Sequence, residues 1–134
     1  MPMIILPRSG RAPVQFNGEL LAQASSRQSL HSEKQHKRWH EITVYQTDSG
    51  KYVVHVAFRC DNRYDAPHDD IEVCATPADV VSYLSTYHPT AYIRGWPLPQ
   101  HKEHDARLRQ GLTDNFEAIV ADVLCLYDVF AERV

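Results

Sequence analysis

Residues 38–60 constrain this chain more than any other stretch, because they specify a β-hairpin whose two faces can be assigned side chain by side chain. Trp39 to Thr47 and Lys51 to Cys60 are rich in Val, Ile, Thr, Tyr and Phe, which pack well on a pleated surface, and Asp48-Ser49-Gly50 separates them. A three-residue connection ending in glycine suits a type I turn followed by a left-handed residue, since Gly50 has no Cβ to clash at positive φ. That turn sets Thr47 opposite Lys51. The pairs then run through Gln46 with Tyr52, Val44 with Val54, Thr43 with His55, Ile42 with Val56 and His40 with Phe58 to Trp39 with Arg59.

Side chains alternate across a strand, so Ile42, Val44, Tyr52, Val54, Val56 and Phe58 share the face that must meet the core. A slip of one residue would turn that set to solvent, so the register is strongly specified. The other face is mixed and carries Trp39, Glu41, Thr43, Tyr45, Val53, His55 and Arg59. One reading makes it a solvated or partly covered sheet surface, as antiparallel sheets commonly have. The other makes Trp39, Glu41, Thr43, Tyr45, His55 and Arg59 a recognition surface, since these residue types fix a partner or ligand.

The chain of 134 residues fits one domain and can bury roughly two thirds of the surface its unfolded form exposes. A hydrophobic content of 43% with 23% charged residues is that of a globular protein rather than a disordered or membrane-spanning one. A net charge of −3 supplies no long-range field for a polyanion, so nucleic acid would need a local patch. Three widely spaced cysteines, Cys60, Cys74 and Cys125, give neither a disulfide framework nor a zinc ribbon and fit a reducing compartment. The apolar run before Pro7 is too short for a signal peptide, which points to the cytoplasm.

Along the chain, Asn17-Gly18 between two apolar-patterned segments predicts a tight hairpin with Val14 opposite Leu21, competing with a short helix over residues 19–24. Residues 25–37 are polar around a single Leu30 and read as a mobile loop. A second loop covers residues 61–69, and Ile71 and Val73 begin a third strand of the main sheet. Thr76-Pro77-Ala78-Asp79 is a helix start, and Val80, Val81, Leu84 and Tyr87 follow at helical spacing until His88-Pro89 stops it. Residues 90–100 form an irregular connection around Trp96, and residues 101–110 a short polar helix. The last helix runs from Asn115 to Glu132, with a stripe from Phe116 to Phe130 wide enough to be buried on two sides or to offer a homodimer contact.

Eight histidines raise the question of metal binding. His36 and His40 are four apart, but His40 belongs to a strand, and His101, His104 and Asp105 have no further ligand set and no H-E-x-x-H pattern. No metal site is expected, nothing calls for a cofactor, and no nucleophile sits in a recognisable context. His55 with Glu41 as its diagonal carboxylate could make an oriented general base in a small enzyme or ligand-binding protein. A basic edge of Lys34, Lys37 and Arg38, with Arg59 and the aromatics Trp39 and Tyr45 beside it, could bind a nucleic acid.

Phe16-Asn17-Gly18-Glu19-Leu20-Leu21-Ala22, Val44-Tyr45-Gln46-Thr47, Gly50-Lys51-Tyr52-Val53-Val54-His55 and the stretch from Val73 to Val81 together resemble the carboxy-terminal part of EXLDI-motif bacterial proteins. The resemblance runs from Phe16 to about Leu84, and those proteins' ribbon-helix-helix-like leader and EXLDI tail have no counterpart in this sequence. It implies a bacterial, regulator-associated module and no catalytic residues. The expectation is therefore an α+β domain, an antiparallel sheet built on the 39–60 hairpin with two or three helices packed on one face. Its expected role is that of an accessory or regulatory protein binding another protein through the open sheet face or the last helix.

Overall fold

The computed structural model describes residues 2–27, 38–61, 65–93 and 99–126. It is an α+β fold with a five-stranded antiparallel sheet in the order β1-β2-β3-β4-β5, formed by Met3–Leu6, Val14–Ser25, Arg38–Thr47, Tyr52–Cys60 and His68–Cys74. Two helices, α1 (Pro77–Thr86) and α2 (Lys102–Cys125), complete it, the second entered through a single 3-10 turn at Pro99–His101.

The central hairpin has the register its turn dictates, from Gln46 opposite Tyr52 to Arg38 opposite Cys60. Gly50 adopts φ +86° and its N–H bonds the Thr47 carbonyl, so the glycine is there for its backbone. The apolar face of the hairpin meets the helices. Ile42, Val44, Tyr52, Val54 and Val56 pack with Val80 and Leu84 of α1 and Phe116, Ile119 and Val123 of α2. Thr76 caps α1 by accepting the Asp79 N–H at 3.2 Å.

Asn17-Gly18 is no turn. Both residues lie inside the twelve-residue β2, which pairs with β1 up to Asn17 and with β3 from Gly18 onward. Val14 therefore faces Leu6 rather than Leu21, and Leu20 faces Tyr45. The glycine is used for close approach instead of reversal, because a Cβ on Gly18 would sit 2.4 Å from the Gln46 carbonyl oxygen. A bulge between Leu20 and Ala22 then returns Ala22 and Ala24 to the helix face.

The last helix begins earlier than expected. Residues 102–125 form one continuous α2 through Gly111, whose absent side chain would have met nothing within 4 Å. An exposed glycine in mid-helix costs about 1 kcal/mol relative to alanine, too little to break a helix anchored by Leu112 and Phe116 on either side of Thr113 and Asp114. Of the expected dimer helix from Asn115 to Glu132, the part past Leu126 lies outside the described residues. The loop expected over residues 25–37 does not begin at Ser25, which ends β2, and the buried Ser26 accepts the His40 N–H at 2.9 Å. Residues 28–37 and Trp96 lie outside the described residues. Among the described residues, no helix is long and apolar enough to cross a membrane.

Candidate functional site

The mixed face of the hairpin, here the outer face, becomes a second core over its middle. β1 and the first half of β2 curl across it, so Leu6, Ile4, Val14 and Phe16 pack on Val53, Ile71 and Tyr45. The loop after β1 is tied to the far edge strand: the Ser9 N–H donates to the Asp69 carbonyl at 3.0 Å, and the Asp69 N–H donates to Ser9 Oγ at 2.8 Å. The sheet thus coils so that its first strand leads into a contact with its last.

Beside that contact lies a polar network. Asp69 Oδ1 accepts from Arg59 at 2.7 Å and lies 2.7 Å from His55 Nε2, while Glu41 approaches Arg59 at 3.9 Å. Burial pushes the Asp69 carboxyl up, but the Arg59 guanidinium and then His55 outweigh it and hold the group below its usual range. The carboxylate that orients His55 is therefore Asp69, and Glu41 belongs to Arg59. Asp69 escapes a reading that starts the third strand at Ile71. β5 begins at His68, and two residues of further alternation put Asp69 on the outer face next to Ile71, the cross-strand partner of His55.

The remaining expected residues divide. Trp39 is 9% exposed with the Arg27 guanidinium 4.3 Å from its ring centroid, and Thr43 is buried, so neither offers itself to a partner. Tyr45 is half-buried edge-on to Phe16 at 5.4 Å, and burial raises its phenol pKa. Arg38 is consumed within the chain. Its guanidinium bonds Asp65, whose side chain is fully buried, and a buried carboxylate needs that charge more than a phosphate could. Lys34 and Lys37 lie outside the described residues.

A second cluster that the sequence did not announce sits at the start of β5 on the helix face. Asp70 accepts from Tyr87 OH at 2.5 Å and Tyr92 OH at 3.0 Å, and His68 lies 3.1 Å away with its ring stacked on Tyr92 at 3.5 Å. Burial first, then the bond to Asp70, raises the Tyr92 phenol to about 12 and moves Tyr87 strongly the same way. Such phenols donate and do not ionise, so the cluster clasps β5 to the chain following α1.

Neither cluster presents an activated nucleophile, and among the described residues no group of three or more His, Cys, Asp or Glu side chains could hold a metal ion. What the outer face does present is an apolar row across four strands. Leu20, Tyr45, Val53 and Val73 stand opposite one another in turn, and the two ends of the row, Leu20 at 51% and Val73 at 50%, are exposed. Compared with known proteins, the chain matches no family model, no curated protein and no solved structure.

Proposed function

We propose that this chain is a non-enzymatic accessory protein of the bacterial cytoplasm that binds another protein along the outer face of its curled sheet. Leu20 and Val73 carry the reading: they are the exposed apolar ends of the row, one on each side of the cover that β1 and β2 lay over Val53. Exposed apolar surface edged by polar groups is what a protein interface offers, and the His55–Asp69–Arg59–Glu41 network supplies the polar edge.

Two alternatives have less to support them. A helix-mediated contact would use α2, yet its Leu112, Phe116, Ile119 and Val123 are buried and Val120 and Leu124 pack on the same core, leaving Leu126 as its exposed large apolar residue among the described ones. Nucleic-acid binding loses Arg38 to Asp65. Free Cys60, Cys74 and Cys125 are in keeping with a reducing compartment.

The test is co-purification from the native host with the tagged full chain, beside a Leu20→Ser/Val73→Ser double variant. One protein partner retained by the wild type and reduced at least tenfold by the variant, at unchanged thermal midpoint, is the expected result. Equal recovery with both chains, or no specific protein with either, would remove the proposal.

A further inference from the structure

The two edges of the sheet are treated differently. β5 carries His68, Asp69, Asp70 and Glu72, and its start is tied to Ser9, which are the charges and covering that keep an edge from pairing with another chain. β1 has neither. Residues 2–7 read Pro-Met-Ile-Ile-Leu-Pro without a charge, and Met3 and Ile5, each 60% exposed, are the most exposed large apolar residues described.

The backbone of β1 can be assigned group by group. Gly18 N–H donates to the Pro2 carbonyl at 3.1 Å, which makes Met3 and Asn17 a non-hydrogen-bonded pair of the antiparallel ladder. Ile4 with Phe16 and Leu6 with Val14 are then the hydrogen-bonded pairs, and their N–H and C=O groups point toward β2. Those of Met3 and Ile5 point away from the sheet. Two donors and two acceptors, flanked by two exposed apolar side chains, are left for a further strand.

We infer that β1 pairs with β1 of a second copy of this chain about a two-fold axis at Ile4, joining two sheets into one of ten strands. The stretch is self-complementary in that arrangement, and a slip of one residue would set outward groups against inward ones. Met3 falls opposite Ile5 of the other copy, and the same pair recurs across the axis, so all four outward donors and all four outward acceptors of the two strands are satisfied. The exposed Met and Ile side chains cover each other directly across the ladder. Pro2, which lacks an N–H, falls at a non-hydrogen-bonded position, while Pro7 falls at one that needs a donor and so ends the pairing. No charge lies between the two prolines to oppose it.

Sedimentation equilibrium of the full chain tests the inference, with Ile5→Lys as the disrupting variant and Leu126→Asp as the control at the helix end. Dimerisation that Ile5→Lys weakens at least tenfold and Leu126→Asp leaves alone is the expected result. A Met3→Cys/Ile5→Cys double variant in a Cys125→Ser background reads the register, because a hydrogen-bonded pair has Cα atoms about 5.5 Å apart, within disulfide range. It should cross-link the two copies on oxidation while Met3→Cys alone does not. A monomer at all concentrations, a dimer indifferent to Ile5→Lys, or equal cross-linking by the single variant would overturn it.

Discussion

Gly18 approaches the Gln46 carbonyl so closely that any side chain on it would displace one strand from the other. This contact is where β2 leaves β1 and joins β3, and Asn17 marks the same point by accepting the Asp48 N–H at 2.9 Å. The coil of the sheet starts there, and with it the cover over Val53 and Ile71.

Gly18→Ala is therefore expected to destabilise the fold by about 1–3 kcal/mol, the range of an overpacked contact. Urea unfolding measures it. Gly111→Ala, with open space around its Cβ, should stabilise by about 1 kcal/mol through helix propensity.

His40 is fully buried among the rings of Phe58, Tyr87 and Phe116. Burial lowers its pKa to about 4, with the Pro89 carbonyl pulling back by a smaller amount. The unfolded chain, near the ordinary 6.5, takes up a proton that the folded chain refuses between those values. Stability is thus intact above pH 6.5 and falls by about 3 kcal/mol as pH drops to 4, at 1.36 kcal/mol per unit. His40→Phe should flatten the slope of unfolding free energy against pH between about 4 and 6.5, where the ring now titrates.

Asp69 acts in a lower window, and its pKa is lowered by its charged partners rather than by burial. Its folded pKa lies below the ordinary carboxylate value, so its contribution is present at neutral pH and is lost only as pH falls through that folded value. Asp69→Asn should cost about 1.5–3 kcal/mol at pH 7, the worth of hydrogen bonds to a charged group, and should free both His55 and Arg59. Denaturant midpoints at pH 7 and pH 3 measure the difference, which should shrink at the lower pH.

Asp65→Asn leaves Arg38 without its buried counter-charge and is expected to cost about 3–5 kcal/mol. The loss should change little with added salt, because a buried pair is weakly screened. Thermal unfolding at low and high ionic strength checks this.

The hairpin was legible because alternation and the glycine turn both point to one register, Val44 against Val54. Asn17-Gly18 misled because its two residues suit a tight turn equally well as a strand crossing point, and only the approach of Gln46 distinguishes them. The outer face was legible as a set of residues but not as an arrangement. Trp39 and Thr43 share it with His55, yet what covers it comes from β1 and β2, and the alternation of β1, Ile4 and Leu6 in and Met3 and Ile5 out, is too short to reveal which face it covers. Asp69, Asp70 and Ser9 were hidden because loop-favouring residues, Pro67 and the two aspartates, mask the first residues of β5.

Site-specific photo-cross-linking in the native host bears most directly on the sheet as the docking surface. A photoreactive residue at Leu20 and another at Val73 should capture the same protein, while one at Glu117, exposed on α2, should not. Capture from Glu117 with none from Leu20 and Val73 would contradict the account.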